Sequence, residues 1–132
     1  MNVDRNSEAE SFRAWVPDFD RWPQSWMGVA EDLAYGRKLL PCFAGFLQAL
    51  YAEGLSRKIF THYRGHLWLL GGSIISRVSL YEEYLDDPLE KLRESVADDG
   101  FLPDHYDQMT QAELKAFERM CRRFEKYLGE SK

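Results

Sequence analysis

Long apolar runs and cysteines are both scarce in this chain of 132 residues. No apolar run approaches the roughly 18 residues of a membrane-spanning helix, so we expect no contact with a membrane. The opening residues 1–4 are not basic and no apolar stretch follows them, which predicts that there is no secretory signal. Cys42 and Cys121 are the only cysteines, and neither has a second cysteine at metal-ligand spacing. We therefore expect two reduced, buried thiols and a cytoplasmic location.

Patterns typical of catalytic, cofactor and metal sites are also missing from the sequence. No serine stands in a Gly-x-Ser-x-Gly nucleophile motif, and Gly71-Gly72 alone does not make a phosphate-binding loop. His62 and His66 stand four residues apart, a spacing that can chelate, but zinc needs three or four protein ligands. Those two residues and His105 are therefore expected to be ordinary surface or packing residues. We predict a protein with no catalytic residue, no metal and no cofactor.

Charge is distributed unevenly along a chain whose net charge is −5. Residues 54–81 contain no acidic side chain but four basic ones. Residues 82–113 contain eleven acidic side chains and two basic ones, whereas residues 114–132 are again basic. The sequence thus predicts an acidic protein with two basic helical segments.

The first quarter of the chain differs from the rest in composition. Residues 1–33 include Pro17, Pro23 and Gly28, which interrupt any long helix and predict an irregular arm. The arm is nevertheless rich in aromatic residues, and disordered tails are poor in them. We therefore expect it to pack, either on its own domain or on a partner protein. The candidate docking residues are Trp15, Phe19, Trp22 and Trp26.

The remainder, residues 34–132, is predicted to be one all-α domain, a compact bundle of about five helices. Leu39, Phe43 and Phe46 recur on one face at the helical period, and no alternating strand pattern competes with the helical segments. Pro41 either lies in the first turn of this first helix or kinks it. The predicted helices cover about residues 34–53, 57–70, 74–84, 89–97 and 111–128.

Local signals predict where these helices begin and end. Gly54 is expected to end the first helix. Gly71-Gly72 is expected to stop or bend the second, and the third is expected to bury Tyr81. The expected caps are Ser56 for the second helix, Ser73 for the third, Asp87 with Pro88 for the fourth, and the Thr110–Glu113 capping box for the fifth.

Two predicted helices carry basic residues opposite their apolar faces. In the helix over 57–70, guanidinium groups, a hydroxyl and an indole could hold a phosphate backbone and stack on a base or sugar. A solvated face, with the indole buried against the arm, is the alternative interpretation. The candidate nucleic-acid-binding residues are Arg57, Lys58, Thr61, Arg64 and Trp68. The second basic face, on the helix over 111–128, comprises Lys115, Arg119, Arg122 and Lys126.

One stretch resembles a known family. Residues 46–58, FLQALYAEGLSRK, followed by a helix with Tyr63 and Leu67, are similar to the SAM-like N-terminal core-binding domain of phage integrases and tyrosine recombinases. The resemblance covers about residues 35–80 and implies a small helical bundle that clamps DNA. The family's catalytic domain is absent, since neither His62 nor His66 has an arginine three residues on. The resemblance therefore implies a stand-alone DNA-binding module and not a recombinase.

Two functions remain open at this point, and the position of the basic faces distinguishes them. If both faces lie on one surface, we favour a non-enzymatic module that binds DNA. If they are separated or covered, we favour a protein-interaction subunit that uses the acidic segment 82–113 and the aromatic arm. The oligomeric state is left open.

Overall fold

The computed structural model describes residues 12–97, 102–103 and 106–130, and all that follows concerns these residues. They contain helices and no strand, which confirms the predicted all-α class. None of these helices is long and apolar enough to span a membrane. The α-helices are α1 (Phe12–Trp15), α2 (Trp22–Trp26), α3 (Ala30–Ala52), α4 (Arg57–Tyr81), α5 (Pro88–Val96) and α6 (Gln111–Glu130), with 3-10 turns at Phe19–Arg21 and Tyr106–Gln108.

Helix α3 begins earlier than predicted because a carboxylate closes its first turn. Asp32 Oδ2 accepts the backbone N–H groups of Gly28 at 2.8 Å and of Val29 at 3.1 Å, and a helix start leaves such donors without intrahelical partners. Pro41 lies inside α3 and not in its first turn, with its ring exposed to solvent. The helix continues on both sides of it.

The prediction that Gly71-Gly72 stops or bends the second helix is wrong. Helix α4 runs through both glycines, so the predicted second and third helices are one, and Ser73 is buried inside it instead of capping a new helix. The indole of Trp26 lies where a side chain at position 71 would be, since a Cβ there would be 2.3 Å from Trp26 Cζ2. The glycines therefore form a notch that receives a tryptophan.

Three of the four predicted caps are confirmed, and Ser73 is the exception. Ser56 Oγ accepts the Ile59 N–H at 3.2 Å, and Gly54 before it has the left-handed φ of 83° that glycine adopts without strain. The other two predicted caps form as well. Asp87 Oδ2 accepts the Glu90 N–H at 3.0 Å, and Thr110 and Glu113 exchange the two bonds of a capping box at 2.8 and 3.0 Å.

The core is built around aromatic rings of α3 and α6. The Phe124 ring lies 5.6 Å from that of Phe43 and 4.8 Å from that of Phe46, measured between centroids. Apolar residues of α6 recur in steps of three and four and form a seam against the core; Leu114 is half-buried and the others are buried: Phe117, Cys121, Phe124 and Leu128. A helix with a strongly amphipathic sequence is oriented by this burial.

The N-terminal segment packs on the bundle and is more regular than expected. It forms α1, a 3-10 turn and α2 where an irregular arm was predicted. Phe19 and Trp22 are each only 1% exposed, and Trp22 lies 6.4 Å from the core residue Phe43 between ring centroids. The described part of the arm, from Phe12 onward, thus belongs to the same core as the helices.

Candidate functional site

The basic face of α4 lies against the N-terminal segment. The guanidinium of Arg57 stands 5.4 Å above the Trp15 ring, a cation–π contact. The guanidinium of Arg64 pairs with the Asp18 carboxylate at 2.5 Å and lies 6.0 Å from the Trp22 ring centroid. Both arginines of the predicted phosphate-binding face therefore already have partners within the molecule.

Trp68 is held at the same boundary. Its Nε1 donates to Ser25 Oγ at 2.9 Å, and its carbonyl accepts from Trp26 Nε1 at 3.1 Å. The indole is 39% exposed. Trp68 thus helps to attach the N-terminal segment while one part of its ring remains open to solvent. Lys58 and Thr61 of the same predicted face are exposed.

The second basic face, on α6, consists of one paired arginine and three exposed side chains. Arg122 pairs with Glu118 at 3.1 Å and Glu125 at 2.9 Å, and it also donates to the Val96 carbonyl. The other three residues of this face are exposed: Lys115, Arg119 and Lys126.

Arg57 and Arg64 of the first basic face and Arg119 of the second lie on different sides of α4. Arg119 lines a groove with His62 and His66, which α4 presents toward α6. At about 100° per residue, both histidines are about 160° around α4 from Arg64, which faces the N-terminal segment. The two arginines of the first face are covered by the N-terminal segment and lie across α4 from Arg119, whereas Lys58 lies about 40° around α4 from His62, on the Arg119 side. By the criterion set out from the sequence, this arrangement favours the protein-interaction hypothesis.

The four aromatic docking candidates expose little surface to solvent. Phe19 and Trp22 are buried, and Trp22 Nε1 donates to Asp18 Oδ2 at 3.1 Å. Trp15 and Trp26 are half-buried against the core. A partner could therefore reach Phe19 and Trp22 only if the segment left the bundle.

The groove between α4 and α6 brings together the two histidines that the sequence singled out. It has a volume of about 170 Å³ and is lined by Ile59, His62, Tyr63, His66, Ala116 and Arg119. Burial lowers the pKa of His66, and the neighbouring His62 and Arg119 lower it further, whereas Glu113 opposes them. In the described parts of the chain no three metal-ligating side chains cluster. His105 lies outside the described residues.

A second surface, at the C-terminal end of α4, did not emerge from the sequence. Leu80 is 71% exposed, Tyr81 is 64% exposed and Leu85 is fully exposed. The prediction that Tyr81 is buried is therefore wrong: at the end of the helix its ring lines a shallow groove toward α5 and remains largely in solvent. One sequence feature could have predicted this surface: Leu80 and Leu85 are apolar residues that lie outside the helical apolar pattern.

The loop that carries Leu85 is tied down by polar contacts. Tyr84 Oη donates to Asp32 Oδ1 at 2.6 Å, and Tyr35 Oη donates to the Asp86 carbonyl at 2.9 Å. The Lys91 ammonium bridges Glu83 at 2.7 Å and Asp86 at 2.8 Å. These contacts hold the loop closed on α3 and α5.

The carboxylate beneath this loop is itself buried. Burial raises the pKa of Asp32, but the bonds from Tyr84, Gly28 and Val29 outweigh it and leave the pKa below its ordinary value of 3.8. The charged form therefore holds both the start of α3 and the loop.

No family model, no curated protein and no solved structure matches this chain. The resemblance to integrase core-binding domains therefore rests on the residues quoted for it and stays a prediction.

Proposed function

We propose that this protein is a non-enzymatic helical module that binds a protein partner through the C-terminal end of α4 and the loop after it. We call this surface the acidic corner: Leu80, Tyr81 and Leu85 together with the acidic side chains between residues 82 and 94. The observation that carries the proposal is a fully exposed leucine on a loop held by hydrogen bonds at both ends.

The direction of the loop side chains supports docking. Tyr84 and Asp86 turn polar atoms inward to α3, while Leu85 between them turns its side chain to solvent. A leucine side chain buried in an interface contributes about 1.5–3 kcal/mol. Because the loop is already ordered, little conformational entropy is lost when a partner binds it.

The charge around the apolar residues indicates the chemistry of the partner. Residues 82–94 contain six acidic side chains and two basic ones. One of those two, Lys91, forms ion pairs with Glu83 and Asp86. The surface therefore suits a segment with apolar residues flanked by lysine or arginine, since complementary charges guide encounter and orientation.

Site-specific photo-crosslinking tests the proposal. A photoreactive amino acid in place of Leu85 should give an adduct with a partner whose crosslinked segment is basic and apolar. The same group in place of Leu102, which is half-exposed and lies outside residues 80–94, is the matched control. The variant Leu80→Ser with Tyr81→Ser should remove the adduct at unchanged melting temperature. Absence of an adduct specific to position 85, or an adduct with an acidic segment, would refute the docking surface.

A specific feature of α4 keeps DNA binding as a second candidate. Its first turn has no acidic residue and instead carries Arg57 and Lys58. Cations at the positive end of a helix destabilise it, and a bound phosphate would relieve this repulsion. The exposed Lys58, with Lys115, Arg119 and Lys126 on α6, could supply further phosphate contacts.

Salt-dependent binding tests the DNA candidate. Fluorescence anisotropy with duplex DNA at low salt should show affinity no better than roughly micromolar, the non-specific range. The variant Lys58→Glu with Arg119→Glu should abolish binding without altering stability, because exposed charges contribute little to folding. Trp68→Ala reports whether the indole stacks on a base or only holds the N-terminal segment. No anisotropy change at tens of micromolar protein would end this candidate.

A further inference from the structure

The groove between α4 and α6 contains an arrangement of donors that the docking surface does not explain. Helix α6 carries three arginines, and two of them are engaged: Arg122 with Glu118 and Glu125, and Arg123 with Glu53. Among the described residues, Arg119 takes part in no ion pair. Arg119 is one of the residues that line the groove.

The opposite wall of the groove is formed by imidazoles. His62 and His66 are one turn apart on α4, so their rings lie on the same side of the helix, and both line the groove together with Arg119. The His66 ring packs edge-on to Phe117, with 6.1 Å between ring centroids, which fixes its position. None of the six lining residues is acidic.

The floor of the groove is apolar and ordered. Ile59 and Ala116 contribute aliphatic surface, and the Tyr63 ring lies beneath the Arg123 guanidinium at 5.3 Å. An apolar floor beside a cluster of donors can accommodate a ring next to an anionic group. A metal ion is disfavoured here, because a guanidinium faces the two imidazoles and would repel it.

We propose that this groove binds a phosphate ester, with Arg119 and the two histidines holding the phosphate and the floor of Ile59 and Tyr63 holding the attached ring. A guanidinium offers paired N–H donors that fit phosphate oxygens, and imidazoles add single donors. The site lies apart from the acidic corner and does not depend on it. A free nucleotide and a nucleic-acid backbone share this chemistry, and the second would serve the DNA candidate above.

Proton NMR of the histidine rings tests the site on the full chain. Adenosine monophosphate should shift the His62 and His66 resonances in the millimolar range, and inorganic phosphate, which lacks the ring, should bind more weakly. Bound phosphate should also raise the pKa of His66, because an anion stabilises the imidazolium. Adenosine without phosphate and acetate are the two further probes, and we expect neither to bind as tightly as the nucleotide.

Matched variants identify the residues responsible. Arg119→Gln should weaken nucleotide binding by about tenfold or more, and His62→Gln, at an exposed position, should weaken it severalfold. Arg37→Gln, at an exposed arginine near the start of α3, should leave it unchanged. Crosslinking at position 85 should be unaffected by Arg119→Gln, so failure of this site and failure of the docking surface are separate results.

The two sources of phosphate are distinguished by a short duplex DNA. Tighter binding of the duplex than of the nucleotide, lost in Arg119→Gln, assigns the groove to a nucleic-acid backbone. Tighter binding of the nucleotide assigns it to a small phosphate ester. Histidine resonances that do not move with nucleotide, phosphate or DNA overturn the proposal, as do shifts that Arg119→Gln and Arg37→Gln affect equally.

Discussion

Replacing Gly71 by alanine tests whether Trp26 anchors the N-terminal segment in a notch of α4. An added Cβ would lie 2.3 Å from Cζ2 and 2.5 Å from Cη2 of Trp26, and 3.0 Å from Cε2 of Phe43. Favourable carbon contacts need about 3.5–4.0 Å, so the indole has to move. The bond from Trp26 Nε1 to the Trp68 carbonyl would be strained or lost with it.

The magnitude follows from opposing contributions to the free energy of unfolding. In an open helix interior, glycine to alanine stabilises by about 1 kcal/mol. Overpacking costs about 1–3 kcal/mol, and loss of the indole hydrogen bond costs about 0.5–1.5 kcal/mol. Gly71→Ala should therefore destabilise the protein by about 0.5–3.5 kcal/mol. Gly65 lies on the same helix with nothing within 4 Å of an added Cβ, so Gly65→Ala should stabilise it by about 1 kcal/mol.

Urea unfolding followed by far-UV circular dichroism measures both variants. In a Trp26→Ala background most of the penalty of Gly71→Ala should vanish, because the two residues then no longer interact. If Gly71→Ala is as stable as Gly65→Ala, the notch does not hold the indole and the packing of the arm is misassigned.

Three further outcomes are expected. Asp32→Asn should destabilise the fold by about 1–3 kcal/mol at neutral pH, since an amide cannot accept all the bonds of the buried carboxylate. Because the pKa of Asp32 lies below 3.8 in the folded protein, the charged carboxylate of the wild type stabilises the fold above that pH. This stabilisation is lost as the pH falls below it. Glu82, the residue that follows the last turn of α4, has a left-handed φ of 56°, so Glu82→Gly should stabilise by up to about 1 kcal/mol while weakening a basic partner's binding. Burial raises the pKa of Cys121 to about 12 and that of the half-buried Cys42 less far, so a thiol reagent should modify Cys42 first in the folded protein and both after unfolding.

Each of these outcomes has a result that contradicts it. Equal acid stability of wild type and Asp32→Asn would mean that this carboxylate does not hold α3 and the loop. A loss of stability in Glu82→Gly would show that the side chain has a contact that outweighs its backbone conformation. Modification of Cys121 as fast as that of Cys42 would show that α6 opens readily from the core.

The helix boundaries that could be predicted are those set by contacts between residues within one helical turn of each other. Ser56, Asp87 and the Thr110–Glu113 pair each bond to a backbone N–H three residues away, so neighbouring residues suffice to predict them. The buried seam of α6 was predictable for the same reason, because its spacing alone selects one face of a helix. The prediction that Gly71-Gly72 ends or bends the helix failed because glycine's low helix propensity is a local property. The notch that the two glycines form is filled by Trp26, which is far away in sequence.

The sequence by itself determined an all-α protein, most of its caps, the apolar faces of its helices and its two basic segments. Only the tertiary structure decided which of those charges stay free. Arg64 meets Asp18 across 46 positions and Trp68 meets Ser25 across 43, and no periodicity in α4 encodes either contact. The exposure of Leu85 was decided in the same way, by bonds that Tyr84 and Asp86 make to α3 across 52 and 51 positions. A helical pattern specifies which side chains share a face, but the packing of distant segments specifies what that face meets.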